Sequence, residues 1–216
     1  MGKLNIGILG GFSGTVGTVI GSTNKKGDDI IRVKSKKPRV NNSQSQLDQQ
    51  TRFGLVTSFL MPLNFLLKNS FKSVAGDQMT PYNCACQQAL KNAVAGNGPD
   101  FELDYSKVLV SQGFLSRESN ASAEEASGQV NFQWSDSSGQ GKCAATDKAV
   151  LLVYNIDQAE VSYSVGATTR GSKSGSLNLP YAQAGDSLLF YLFFQSATDP
   201  TVVSTSQLVG RMEIPG

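Results

Sequence analysis

The chain contains no histidine among its 216 residues. Histidine is the side chain whose ordinary pKa lies nearest neutrality. Its absence removes the usual general base, the Ser-His and Cys-His nucleophile pairs and the commonest metal ligand. Cysteine is scarce, with Cys84, Cys86 and Cys143 alone. An odd count without framework spacing does not read as a disulfide scaffold. Cys84 and Cys86 stand two apart, so on a helix they point away from each other and cannot bridge. Charged residues make up 17% of the chain, against roughly a quarter in an average globular domain. A surface with few ions is easier to cover with a partner. No run reaches the ~20 predominantly apolar residues of a membrane helix. These shortages argue against an enzyme, a metal site, a cofactor, a small-molecule substrate and a membrane span.

Glycine is plentiful where the chain begins. Gly7, Gly10, Gly11, Gly14, Gly17 and Gly21 fall within fifteen residues, and no charge occurs between Lys3 and Lys25. On a helix these glycines would form a small-residue stripe, but six of them cost about 5–6 kcal/mol relative to alanine. The interleaved Thr15, Val16, Thr18, Val19 and Ile20 are β-branched and favour strand. Phosphate-loop patterns are missing, because no Lys-Ser/Thr pair follows any of the glycines and no GxGxxG occurs. Met1-Gly2-Lys3 before an apolar stretch has the outline of a secretory signal, but no A-x-A-like site follows. The expectation is a protein that stays in the cytoplasm or leaves by another route.

Gly14 to Ser22 reads as one strand, Asn24 to Gly27 as a turn, and Asp28 to Ser35 as the returning strand. This predicts a β-hairpin led by an uncharged arm, with Gly7, Gly10, Gly11, Phe12, Gly14, Val16 and Gly17 as the assembly element. Glycines in strands mark close approach by another backbone, and an uncharged edge strand can pair with another chain. Lys25 to Arg39 holds seven basic and two acidic residues. Within it Arg32, Lys34, Lys36, Lys37 and Arg39 form a basic patch that could grip a phosphate backbone. No aromatic residue interleaves for base stacking, so a solvated edge that discourages aggregation is the simpler reading.

Pro38 breaks the strand, and Asn41-Asn42-Ser43 supplies caps for a helix from Gln44. Val56, Phe59, Leu60, Leu63, Leu66, Leu67, Phe71 and Val74 recur at helical spacing, with a break expected at Pro62. Thr80-Pro81 opens a further helix whose face is Cys86, Ala89, Leu90, Ala93 and Val94, with Gly96 as terminator. Gly96-Asn97-Gly98-Pro99 is a composition break. Beyond it, strand signals fall at 107–112, 129–135, 149–154, 160–165, 175–179, 187–195 and 202–211. Asp136 to Gly141, with Asp147, reads as a polar turn, because calcium-loop spacing is missing. Glu124-Glu125 reads as an acid pair in a loop.

The strand pattern resembles a fibronectin type III-like domain, carried by Trp134, the 149–154 strand, and Leu177-x-Leu179 before Ala184-Gly185-Asp186. The whole chain also resembles a domain-of-unknown-function family abundant in Bacteroidota. The carriers are Gly7-Ile8-Leu9-Gly10-Gly11-Phe12-Ser13-Gly14-x-Val16-Gly17, Arg52-Phe53-Gly54-Leu55-Val56, and Asp100-Phe101-x-Leu103-Asp104-Tyr105-Ser106-Lys107-Val108-Leu109. The basic hairpin followed by a Gln-rich helix start (Gln44, Gln46, Gln49, Gln50, Arg52) is similar to segments of some phage-like structural proteins. The resemblance to the domain-of-unknown-function family brings no catalytic residues.

The expected fold is α+β: a glycine-rich arm and basic hairpin over 1–40, a helical segment over 41–98, and an antiparallel Ig/fibronectin III-like β-sandwich over 99–216. The expected function is that of a structural protein that self-assembles as a homo-oligomer into a fibre, tube or particle. The alternatives are an adhesion or glycan-binding module using the sandwich loops near Phe114, Tyr163 and Tyr181, and a nucleic-acid-associated protein using the basic hairpin.

Overall fold

The computed structural model describes residues 2–4, 12–24, 27–35, 42–76, 79–118, 120–139 and 141–215. The chain divides into two compact units, Met1–Gln44 and Ser45–Gly216.

The first unit is an antiparallel sheet of β1 (Gly2–Leu4), β2 (Gly14–Val16), β3 (Val19–Thr23) and β4 (Asp29–Val33), in the order β1-β4-β3-β2. The stretch expected as one strand from Gly14 to Ser22 is two. Gly17, at φ +58°, begins a two-residue turn that sets Val16 opposite Val19. Positive φ at the first turn position is what a type II′ hairpin requires of glycine. At the next turn Asn24 accepts a hydrogen bond from the Asp28 N–H (3.0 Å), and Gly27 adopts φ +82°.

The second unit mixes helix and strand. Helix α1 (Gln44–Leu60) and α2 (Asn64–Ser70) flank the break at Pro62, and α3 (Lys72–Ala75) follows. Helix α4 (Pro81–Asn92) starts as its cap predicts, with Thr80 Oγ1 accepting from the Asn83 N–H at 3.1 Å. The helix stops at Asn92 and the chain turns directly into a hairpin, β5 (Val94–Asn97) and β6 (Asp100–Leu103). Gly96 therefore lies within a strand, at φ +89°, where a Cβ would stand 2.3 Å from the Asp100 carbonyl oxygen.

The remaining strands are β7 (Ser122–Ala126), β8 (Gln129–Gln133), β9 (Lys148–Asn155), β10 (Glu160–Thr169), β11 (Ser174–Asn178), β12 (Ser187–Gln195) and β13 (Gln207–Glu213). They form two antiparallel sheets, β10-β9-β12-β13 and β11-β8-β7. The four-stranded sheet is covered on both faces. Val150, Leu152, Tyr154, Leu189, Tyr191 and Phe193 join Phe59, Leu63, Leu67 and Phe71 of the helical layer in one core. Leu151, Val153, Phe190, Leu192 and Phe194 join Val130, Phe132 and Trp134 in a second. Successive strand residues point to opposite faces. A strand covered on both sides is therefore apolar at every position, as Ala149–Tyr154 and Leu188–Phe194 are.

Further local expectations differ from the structure. The strand expected over 202–211 is β13, which begins only at Gln207. Residues 107–112 form no strand. Val108 and Val110 are buried there, but the backbone finds its partners elsewhere. Gln112 N–H donates to the Ser70 carbonyl (3.1 Å), Val110 N–H to Ser206 Oγ (2.9 Å), and Ser206 N–H to the Ser111 carbonyl (3.1 Å). Buried amides must be paired, and side chains and helix ends serve as well as a ladder does. Conversely, Glu124 and Glu125 lie in β7, paired with Asn131 and Val130 of β8. Their poor strand propensity is overridden by the hairpin.

Candidate functional site

The described residues among those singled out for assembly and for phosphate binding lie on or beside the N-terminal sheet. Gly7, Gly10, Gly11, Lys36, Lys37 and Arg39 lie outside the described residues. Of the rest, Gly14 pairs with Gly21 and Val16 with Val19, while Val19 pairs with Val33 and Gly21 with Ile31. Paired residues share a face, so Val16, Val19, Ile31 and Val33 form one apolar surface. Phe12 lies across it. A Cβ on Gly21 would meet the Phe12 carbonyl oxygen at 2.3 Å and its ring at 2.7 Å, so glycine is what seats the ring there. Val16 and Val33 are exposed, and Val19 and Ile31 are half-buried. The opposite face carries Thr15, Ile20, Ile30 and Arg32, with Arg32 opposite Ile20. Lys34 extends the strand and donates its N–H to the Thr18 carbonyl at 2.8 Å. Alternation thus sets Arg32 on the face opposite Val16, Val19, Ile31 and Val33. Among residues 12–24 and 27–35 only Gly21 is buried.

The second unit holds a cluster that the sequence gives no hint of. Arg170 is fully buried, and its guanidinium donates to Glu118, to Ser137 Oγ (2.9 Å) and to the Ser116 carbonyl (3.1 Å). Its Nε stands 3.3 Å from Asp147, and the group lies over the Phe194 ring at 4.0 Å. Trp134 Nε1–H donates to the Arg170 carbonyl at 2.8 Å. Glu118 and Asp147 are also buried. No solute reaches charges so enclosed. The cluster ties three separated loops to the edge of the β-layer core, and its members run from Ser116 to Phe194 in the sequence, so spacing could not reveal it.

The remaining candidates are committed locally. Asp136 accepts from the Ser138 N–H (2.9 Å), which holds its carboxyl below the usual range, and Asp147 serves Arg170. The two carboxylates are therefore not turned toward a common ion. Burial pushes the Cys84 and Cys86 thiols up, so neither favours the nucleophilic thiolate at neutral pH. Among the described residues, no three His, Cys, Asp or Glu side chains stand close enough to hold a metal. None of the described helices is long and apolar enough to cross a membrane. An open groove of about 550 Å³ is lined by Leu55, Phe101, Glu102, Tyr105 and Arg211, with Arg211 5.9 Å over the Tyr105 ring.

Residues 11–210 match the model of a family described as a family of unknown function, DUF6266. Neither a curated protein nor a solved structure matches the chain.

Proposed function

Since the chain belongs to the DUF6266 family, whose function is unknown, we propose from its own surfaces that it is a non-catalytic structural protein. It assembles with copies of itself, through the N-terminal sheet, into a fibre, tube or particle. The carrying observation is an apolar face that Phe12 covers only in part, where Val16 is 65% and Val33 74% exposed. A sheet of short strands gains little stability without a covered hydrophobic face. An apolar surface rimmed by polar groups is the usual form of a protein contact. Charge supports a second copy as the partner. Residues 1–44 carry eight basic and two acidic side chains, net +6, and residues 45–216 carry eleven and fifteen, net −4. Opposite signs on two parts of one chain favour a head-to-tail contact, and a head-to-tail contact that does not close propagates.

The test is the mass of the full-length protein by light scattering, with negative-stain images of the same sample. Species far larger than the 23.0 kDa chain are expected, and Val16→Lys with Val33→Lys removes them. A wild-type protein that stays monomeric at high concentration sinks the proposal.

The fibronectin III-like reading of the C-terminal strands belongs to the same proposal. The two sheets around Trp134 serve as a rigid body rather than as a reactive site. A second reading rests on Arg32 and Lys34, which stand apart from the apolar face. It assigns that side to a nucleic-acid backbone and predicts a gel shift lost between low and moderate salt.

A further inference from the structure

We infer that the outer edge of β10 is a separate, two-fold contact surface whose partner is the same strand of a second copy. β10 ends the four-stranded sheet and pairs with β9 alone among the described strands. An end strand leaves half its N–H and C=O groups to water or to another strand. Natural edges are usually blunted by lysine, proline or inward charge, but Val161 to Thr169 contains none of these. Tyr163 is 49% and Val165 46% exposed. Phe65 of α2, 41% exposed, packs on Tyr163 with ring centroids 4.5 Å apart. An apolar groove of about 220 Å³, lined by Leu66, Val150, Phe193 and Pro200, adjoins the pair. The ladder is regular from Glu160 to Val165 and shifts only beyond it.

This regular stretch reads the same in both directions, Val161-Ser162-Tyr163-Ser164-Val165. In antiparallel pairing about a two-fold axis at Tyr163, Val161 stands opposite the second copy's Val165. Ser162 then stands opposite Ser164, and Tyr163 meets its own counterpart. A two-fold contact joins a surface to itself. The palindrome makes every cross-strand pair like with like: valine on valine, hydroxyl on hydroxyl, aromatic on aromatic. No two like charges meet. The edge amides and carbonyls are satisfied, and two four-stranded sheets become one of eight. Such a contact closes on itself, so it gives a dimer rather than a fibre, and it does not involve the N-terminal sheet.

In the full-length chain, Tyr163→Cys puts a thiol on the axis, where directly opposed Cα atoms lie roughly 4.5–5.5 Å apart, within disulfide reach. Mild oxidation is expected to yield a covalent dimer, while Tyr181→Cys, an exposed position away from the strand, yields none. Tyr163→Lys sets like charge against like and halves the mass of the smallest species, with the far-ultraviolet circular dichroism unchanged. Cross-linking of Tyr163→Cys no faster than of Tyr181→Cys overturns the inference, as does a Tyr163→Lys protein of unchanged mass. The same measurement on Val16→Lys with Val33→Lys separates the two contacts. A dimer of 23.0 kDa chains is expected there. A monomer overturns the β10 contact and leaves the N-terminal reading standing.

Discussion

Strands β9 and β12 and strands β3 and β4 are both antiparallel neighbours, yet their surroundings differ completely. In β9 and β12 every residue is buried except the first of each; in β3 and β4 the only buried residue is Gly21. Backbone pairing is common to both. What distinguishes them is cover: a helical layer and a second sheet for the central strands. Burial at about 25 cal/mol per Å² of apolar surface stabilises one sheet from within its own chain. The other keeps an apolar face on offer.

The sharpest way to break this contrast is at the buried charge. Arg170→Ala strands Glu118 and Asp147 without their cation. It is expected to cost about 3–5 kcal/mol, read as a lower urea midpoint with an unchanged slope. Phe190→Ala opens a void between the sheets and costs a similar 3–5 kcal/mol; a loss below about 1 kcal/mol would mean that the sheet core is not what holds the body together. Thr80→Ala removes the α4 cap and costs about 1 kcal/mol, measurable as a drop in Tm. Acid acts through Asp186. Hydrogen bonds from Asn155 (2.8 Å), the Gln183 N–H (2.8 Å) and Gln158 (3.3 Å) hold its carboxyl below its ordinary 3.8. A lowered native pKa gives stability that is complete above the unfolded value and lost as pH falls through the folded one. The Tm is expected to fall below about pH 4, and Asp186→Asn flattens that part of the curve. The smallest effect belongs to the exposed sheet. Val33→Lys should shift unfolding of the body by no more than about 0.5 kcal/mol, while abolishing large assemblies. A variant that loses both stability and assembly would show that the face is covered from within the chain.

Much of the body was legible from local chemistry. Thr80-Pro81 marked a helix start, Pro62 a helix break, and the 149–154 and 187–195 runs the central strands, because caps, proline and continuous apolar runs act within a few residues. Residues 107–112 misled, since Val108 and Val110 are apolar for burial while their amides pair with Ser206 and the end of α2. The Glu124-Glu125 strand was hidden by its composition. Gly14 to Ser22 concealed a turn, because only the sign of φ at Gly17 separates one strand from two. The segregation of Val16 and Val33 from Arg32 follows from period-two alternation, but it becomes a surface only when three strands are in register.

The sequence alone determined the lack of histidine chemistry, the glycine-rich uncharged opening, the charge imbalance between the two parts of the chain, and the strands that must be covered on both faces. These are properties of residue type and near spacing. Tertiary structure alone decided which apolar residues of the N-terminal sheet stay exposed, that Arg170 meets Glu118 and Asp147, and that the palindrome around Tyr163 lies on an edge strand. Each of those depends on contacts between distant residues or on the absence of a neighbouring strand, and neither is written in local sequence.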